Sequence, residues 1–220
     1  MVDYLTSEHV SYYPDSDGKP IASSERHFKE ILKNFSLLEN HFANTPDVYV
    51  LGDMLMYYVE GDPTKSIAPD IFVSFGIGRK ERRIYKIWEE GKPPDFVLEF
   101  ASKKTYHNDL TDKKQLYADI GIQEYFLCVV DGHYLPSPLM GFRLLNGEYI
   151  EILQNDDGGI LAETLALEFH LLDDGFGIYD PKVGDWIKTA ADEAEERADE
   201  AEAEVAKLKE ELERLRQSHS

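Results

Sequence analysis

The sequence has little cysteine and no long apolar run. Its single cysteine, Cys128, excludes an intramolecular disulfide and a cysteine-rich zinc site, and we expect it to be inert core. Residues 1–13 contain no basic start followed by an apolar stretch, and no run of about 18 apolar residues occurs anywhere. Neither a secretory signal nor a transmembrane helix is predicted, so we expect a soluble, cytoplasmic protein with no membrane partner.

Basic residues are also few. The chain has 23 Lys and Arg against 43 Asp and Glu, a net charge of −20. Residues 184–220 hold 12 acids and 6 bases, which leaves −14 on residues 1–183. This balance argues against a protein whose main task is to coat nucleic acid, because phosphate neutralisation needs Lys and Arg. An enzyme that gathers carboxylates around a cation tolerates such a charge better.

Aromatic residues are plentiful, with 13 Tyr, 11 Phe and 2 Trp, so the chain can bury a real core. A helix is predicted from a Ser23 or Ser24 cap to about Phe42. Its predicted buried face consists of apolar residues at helical spacing: Phe28, Ile31, Leu32, Phe35, Leu38 and Phe42.

Short runs of β-forming residues predict the sheet. Residues 47–60 are typical of one long strand or of two short strands around Gly52. Three short apolar runs further along the chain predict buried strands: residues 71–75, 96–100 and 125–130.

The order of these segments predicts the fold class. Asn108 or Thr111 caps a second helix that Gly121 ends, and Asn146-Gly147 predicts a two-residue hairpin. Helix, mixed sheet, helix and strand, followed by extra β-hairpins, indicate one α/β domain. We expect three parts: an N-terminal arm at residues 1–22, this domain at residues 23–185 and a C-terminal coiled coil at residues 186–220.

The C-terminal segment shows a heptad repeat. Apolar residues at alternating spacings of three and four define the seam: Ala191, Ala194, Ala198, Ala201, Val205, Leu208, Leu212 and Leu215. In this register the three g-to-e′ pairs of a parallel dimer are opposite in sign: Arg197–Glu202, Glu204–Lys209 and Glu211–Arg216. The pattern favours a parallel homodimer; the alternative is a solvated single helix.

Two predicted strands each carry one carboxylate in apolar surroundings. Asp70 lies at the start of one strand, and Glu99 lies inside another. A buried carboxylate must be paired, protonated or bound to a cation. If the strands are neighbours, both acids can hold one Mg²⁺, which prefers oxygen ligands. Asp95 also follows a proline, but it lies roughly 13 Å from Glu99 along an extended strand, and we interpret it as a strand-start residue.

The following helix offers a cation. Asp109, Lys113 and Tyr117 recur every four residues and share one helical face. Lys113 is either an exposed partner of Asp109 or a group that stabilises charge on an attacked phosphate. The basic segment of residues 79–86 is likewise left with two interpretations: a grip on a phosphate backbone or a solvated loop that balances local acids. His27 is interpreted as a residue at the edge of the core.

A series of residues follows a fixed order along the chain: Pro69-Asp70, Glu99, Ser102, Thr105, Asp109, Lys113, Tyr117, Gly121 and Glu124-Tyr125-Phe126. With its flanks, from about Tyr13 to about Pro181, this series closely resembles the Uma-two family of bacterial proteins. One family position differs, because Lys103 replaces a proline. The wider superfamily has a lysine where Ala101 stands, and the resemblance implies that in this family the lysine lies on the following helix.

The resemblance implies the restriction-endonuclease-like PD-(D/E)XK fold and a DNA endonuclease that depends on Mg²⁺ or Mn²⁺. By that resemblance Asp70 and Glu99 hold the metal, the carbonyl of Phe100 adds a ligand, and Lys113 is the catalytic lysine. Lys103 and Lys104 are the alternatives for the lysine. The rival function is an inactive nuclease fold that binds nucleic acid or protein and dimerises through its coiled coil. Asp53 is a further candidate ligand.

Overall fold

The computed structural model describes residues 12–18, 22–130, 135–173 and 175–218. Most of the predicted arm at residues 1–22 therefore lies outside the described residues. The helices are α1 (Glu25–His41), α2 (Ile87–Glu90), α3 (Tyr106–Leu110), α4 (Asp112–Ile120) and α5 (Ala190–Ser218). The strands are β1 (Val48–Gly52), β2 (Met56–Tyr57), β3 (Ser66–Ile67), β4 (Ile71–Phe75), β5 (Tyr85–Lys86), β6 (Phe96–Ala101), β7 (Glu124–Val129), β8 (Leu139–Leu145), β9 (Glu148–Ile152), β10 (Ile160–Ala162), β11 (Leu167–Leu172), β12 (Gly175–Asp180) and β13 (Asp185–Trp186).

The main sheet has six strands in the order β1-β4-β6-β7-β8-β9. Strands β6 and β7 are parallel, because α3 and α4 provide the crossover between them, and the other neighbours are antiparallel. Smaller sheets follow the orders β10-β11-β12-β13 and β3-β2-β5. The predicted α/β class with a mixed sheet and added hairpins is confirmed.

Each face of the main sheet is covered by a separate apolar core. On one face, α1 and the β10–β13 sheet pack against side chains such as Phe96 and Phe126. On the other face, α3 and α4 pack against the alternate side chains of the same strands, among them Phe72, Val97 and Tyr125. Strands buried on both faces explain why the runs at β4, β6 and β7 are almost continuously apolar.

Helix α1 begins where predicted, but it buries a different face. Ser24 is the N-cap and accepts a hydrogen bond from the backbone N–H of His27. The prediction that Phe28 and Leu32 face the core is wrong, because both are exposed, whereas the polar residues His27, Glu30 and Asn34 are buried. Polar groups are required there because Glu30 accepts the backbone N–H of Phe176 and His27 borders Asp70.

Most of the remaining local predictions are confirmed. Residues 47–60 form two short strands, β1 and β2, the second of the two alternatives. The helix after β6 begins earlier than expected and is divided at Thr111, and Gly121 ends it in the left-handed conformation at φ 87°. The Asn146-Gly147 turn joins β8 to β9 as predicted, with positive φ at both residues. Among the described helices, none has the length and apolar character that crossing a membrane requires.

Substitutions on α1 test the corrected face. Leu38 is completely buried, whereas Phe28 is 42% exposed. We expect Leu38→Ala to lower the free energy of unfolding by about 2–5 kcal/mol and Phe28→Ala to change it by about 0.5 kcal/mol or less. Denaturant unfolding measures both values. A larger cost for Phe28→Ala would restore the face predicted from the sequence.

Candidate active site

The acids Asp70 and Glu99 lie on neighbouring strands. Strands β4 and β6 are antiparallel, and Ile71 pairs with Leu98. Asp70 and Glu99 are the next residues outward from this pair, so they lie opposite each other. Side chains alternate along a strand, and Phe72 and Val97, two residues along on each chain, share the core beneath α4. Both carboxylates therefore face the α4 side of the sheet.

The Asp70 carboxylate is held from two directions. Its Oδ2 accepts the backbone N–H of Phe100 at 2.7 Å. The Nε2 of His27, at the start of α1, lies 3.5 Å from the same oxygen. Asp70 is thereby fixed between the sheet and the first helix, and its side chain keeps a small exposed fraction of 16%.

The Glu99 carboxylate is buried and meets two groups of α4. Tyr117 donates its hydroxyl to Oε1 at 2.5 Å, and the Lys113 ammonium lies 2.9 Å from Oε2. The same ammonium lies 3.2 Å from Oδ1 of Asp109 on α3. The face of Asp109, Lys113 and Tyr117 that the sequence predicts thus points at Glu99, and Lys113 bridges two buried carboxylates.

These groups have shifted pKa values. Burial raises the pKa of Glu99 to about 8; Lys113 opposes that shift, whereas the charges of Asp70 and Asp109 add to it. Burial likewise raises the pKa of Asp109. For Lys113 burial favours the neutral amine, but Glu99 and Asp109 outweigh it and raise the pKa above its ordinary value. Lys113 therefore carries its charge at neutral pH.

These residues line an open cleft of about 770 Å³. Its wall includes Asp53, which has φ 47° and a backbone N–H directed at the carbonyls of Pro69 and Asp70. Burial and the charge of Asp70 raise the pKa of the Asp53 carboxyl. A non-glycine residue in the left-handed region is uncommon and occurs often at functional sites. Asp53 adds a carboxylate to the rim.

His27 contributes more than the sequence indicates. The Ser23 backbone N–H donates to its Nδ1 at 3.2 Å, so the ring proton lies on Nε2. This buried Nε2 has no hydrogen-bond partner among the described residues and is directed at Asp70. Helical periodicity alone missed the residue, because it places His27 only beside the apolar face.

The chemistry of the donor set suits a hard divalent cation. Asp70, Glu99, Asp109 and Asp53 supply carboxylate oxygens, which Mg²⁺ and Mn²⁺ prefer, but among the described residues no three of these acids have ligand atoms within 4.8 Å of one another. The buried Oδ1 of Asp109 is already engaged by the Lys113 ammonium at 3.2 Å, so a cation in the cleft would compete with Lys113 for this oxygen. Phe100 borders the same cleft, and the role of its carbonyl as a ligand stays a prediction.

The alternative lysines lie further from the acids. Lys103 and Lys104 are exposed in the turn after β6, and Lys104 borders the cleft. Lys113, in contrast, makes the direct contact with Glu99. The geometry favours Lys113, and its catalytic role stays a prediction.

The basic segment of residues 79–86 is largely engaged within the protein. Arg82 is buried and donates two hydrogen bonds to the Glu90 carboxylate. Arg79 donates to the carbonyls of Val48 and Phe42. Such pairing favours the interpretation of this segment as a loop that balances local acids over its role as a phosphate grip.

Comparisons with known proteins support the resemblance. A family model described as "Uma2: Putative restriction endonuclease" matches residues 4–173. No curated protein matches the chain. One similar solved structure is titled a putative nuclease belonging to DUF820 from Anabaena variabilis; it is 17% identical over 65% of this chain and 75% of that chain, with a TM-score of 0.48. That likeness is too low to assign an activity. The family model spans most of the chain, and the protein belongs to the Uma2 family.

Proposed function

We propose that this protein is a DNA endonuclease that requires Mg²⁺ or Mn²⁺ and uses Asp70, Glu99 and Lys113. The family description supports nuclease function. The observation that carries the proposal is the register of β4 and β6, which directs two acids to one face, with the Lys113 ammonium 2.9 Å from Glu99. We also propose that residues 23–185 form the nuclease domain.

Asp70 and Glu99, with the carbonyl of Phe100, would hold the cation. When bound, it supplies a Lewis acid for the phosphate and an acidified water as nucleophile. Lys113 remains charged and donates to a phosphate oxygen, where it stabilises negative charge that grows during attack. Asp109 orients the Lys113 ammonium, and His27, whose Nε2 lies 3.5 Å from the Asp70 carboxylate, restricts the position of that side chain.

We propose that α5 (Ala190–Ser218) pairs with the α5 helix of a second copy. Trp186, where the sequence placed the start of the coiled coil, belongs to β13 instead. Val205, Leu208 and Leu212 are about half exposed on the described chain, and pairing of their seam with a second helix would bury them. A homodimer would bring two sites to one duplex, one for each strand.

Plasmid cleavage tests the activity. Purified protein is incubated with supercoiled plasmid and Mn²⁺ or Mg²⁺, and we expect nicked and linear products that EDTA prevents. Cleavage that EDTA leaves intact would contradict the metal requirement.

The rival function is a binding module that has kept the fold without turnover. The net charge of −20 and the double engagement of Lys113 by Glu99 and Asp109 favour it. Calorimetry with Mn²⁺ separates the two functions. For the enzyme we expect one Mn²⁺ whose binding is lost in Asp70→Asn; intact plasmid, together with Mn²⁺ binding that is the same in the native chain and in Asp70→Asn, would establish the rival.

Metal binding is expected to depend on pH. Because burial raises the pKa of Glu99 to about 8, a proton competes with the cation below that pH. The Mn²⁺ affinity should rise up to about tenfold per pH unit from pH 6 and level off near pH 8. Calorimetry at a series of pH values measures this. An affinity that is constant over the range, or that keeps its slope in Glu99→Gln, would contradict the assignment.

Oligomeric state tests the coiled coil. We expect the full chain to be a dimer by light scattering and Leu208→Lys, at a seam position, to be mainly monomeric, because buried lysines repel each other. Glu210→Lys, at an outer position of the same heptad, is the matched control and should remain dimeric. A monomeric native chain would leave the single solvated helix as the correct description.

A further inference from the structure

A second group of potential metal ligands lies away from the cleft, on the β10–β13 sheet. Glu168 and His170 are two residues apart on β11 and share one face. Asp157 lies in the turn that precedes β10. One ligand atom from each of these side chains falls within 4.8 Å of the others. Among the described residues, this is the group of three such side chains whose ligand atoms are closest together.

The His170 ring is held firmly in place. It is 9% exposed and packs edge-on against Trp186, with ring centroids 5.1 Å apart. The backbone of Gly159 lies against its other side, since a Cβ there would come within 2.4 Å of the ring. A fixed imidazole beside two carboxylates loses little entropy when it binds an ion.

One pair of ligand atoms has the spacing of a metal site. The Nε2 of His170 lies 3.4 Å from Oε2 of Glu168, where the two groups form a long hydrogen bond. Two ligands at about 2.1 Å from one tetrahedral zinc ion are also roughly 3.4 Å apart. Asp157 lies within 4.8 Å of both atoms, so its side chain would move inward to complete the site.

The charge around these side chains is negative. Neither Asp157 nor Glu168 forms an ion pair with a Lys or Arg among the described residues. Glu168, whose side chain is 18% exposed, faces the His170 ring, and the exposed Asp157 accepts the backbone N–H of Gly159. A cation bound between the two carboxylates would neutralise charge that no Lys or Arg offsets there.

We propose that Asp157, Glu168 and His170 bind a divalent transition metal, with Zn²⁺ as the expected ion. An imidazole with two carboxylates suits Zn²⁺ better than Mg²⁺, because Mg²⁺ prefers oxygen ligands alone. Three protein ligands leave the fourth position to water. The ion ties the turn at residues 155–159 to β11. This site is independent of the proposed nuclease function, whose acids lie on the main sheet.

Zinc titration of the metal-free full chain tests the site, with excess Mg²⁺ present to occupy the cleft. We expect one Zn²⁺ per chain and a higher melting temperature. Asp157→Asn should weaken zinc binding at least tenfold, whereas Asp156→Asn, its neighbour in the same turn, should leave it unchanged. Asp70→Asn should also retain this zinc ion, so failure here is distinguishable from failure of the nuclease site. Equal zinc binding in Asp156→Asn and Asp157→Asn would overturn the proposal.

Tryptophan fluorescence locates the ion. In a Trp88→Phe variant, Trp186 is the remaining indole, and Cu²⁺ at this site should quench most of its emission because His170 lies beside it. His170→Phe preserves an aromatic ring and should abolish the quenching. Quenching that persists in both His170→Phe and Glu168→Gln would show that the ion binds elsewhere.

Discussion

Asp70→Asn is expected to abolish metal-dependent cleavage, with a loss on the order of 10³-fold. The substitution removes one negative charge where Asp70 and Glu99 meet, but asparagine keeps an oxygen that accepts the Phe100 N–H. The fold should therefore be preserved, so that circular dichroism and the melting temperature remain near those of the native chain. The rate of plasmid cleavage in Mn²⁺ measures the effect.

Asp95→Asn is the matched control. Asp95 also follows a proline at the start of a strand. It pairs with Lys92 and accepts the Phe75 N–H, at the end of β4 and β6 that is opposite to Asp70 and Glu99. Cleavage by this variant should stay within about threefold of the native rate, because the lost ion pair with Lys92 contributes little to stability. If both variants cleave equally well, Asp70 has no catalytic role.

Lys113→Met is expected to separate cleavage from metal binding. Loss of the ammonium removes a group that stabilises the transition state, so cleavage should fall by about 10²–10³-fold. The same ammonium competes with the cation for Oε2 of Glu99. Mn²⁺ affinity should therefore be equal to or higher than that of the native chain, as measured by calorimetry.

Lys104→Met provides the comparison for Lys113→Met. Lys104 borders the cleft but is exposed, and its loss should reduce cleavage by less than about tenfold, as for one phosphate contact. If Lys104→Met were inactive and Lys113→Met active, the lysine would have to be reassigned to the turn after β6. A Lys113→Met chain that loses Mn²⁺ binding would contradict the competition between ammonium and metal.

The strands of the site could be predicted from the sequence because they are buried on both faces. Runs such as Ile71–Phe75 are too short and too apolar for an exposed helix, and a carboxylate beside each run is conspicuous. Gly121 and Asn146-Gly147 were predictable because each satisfies a local backbone requirement that few residues meet. These features are determined by residues that are close together in the sequence.

The remaining site residues depend on contacts between distant segments. His27 and Glu30 are buried because α1 packs against β1, β6 and β12, which brings His27 to Asp70 and Glu30 to Phe176. The periodicity of α1 alone does not encode these contacts. Asp109 is a buried carboxylate because α3 turns back onto β6, and spacing identified it only as a partner of Lys113. The pairing of Arg82 with Glu90 likewise depends on the conformation of the segment between them, which the sequence pattern does not specify.

Retaining Glu99 in the core costs stability. A carboxyl group whose pKa burial raises is ionised less readily than in water, and Lys113 and Tyr117 offset only part of this desolvation. Clusters of buried ionisable groups, each of which lowers stability, are typical of functional sites. Glu124, which also belongs to the family series, shows the contrast, because Arg143 and the backbone N–H of Thr164 satisfy its carboxylate away from the cleft.

The anomalous signal of Mn²⁺ in a crystal of the full chain would locate the cation. We expect one Mn²⁺ bound by both the Asp70 and Glu99 carboxylates, at metal–oxygen distances of about 2.2 Å, with the Lys113 amine beside it. A cleft in which the two carboxylates share no manganese ion would show that Asp70 and Glu99 do not form a metal site.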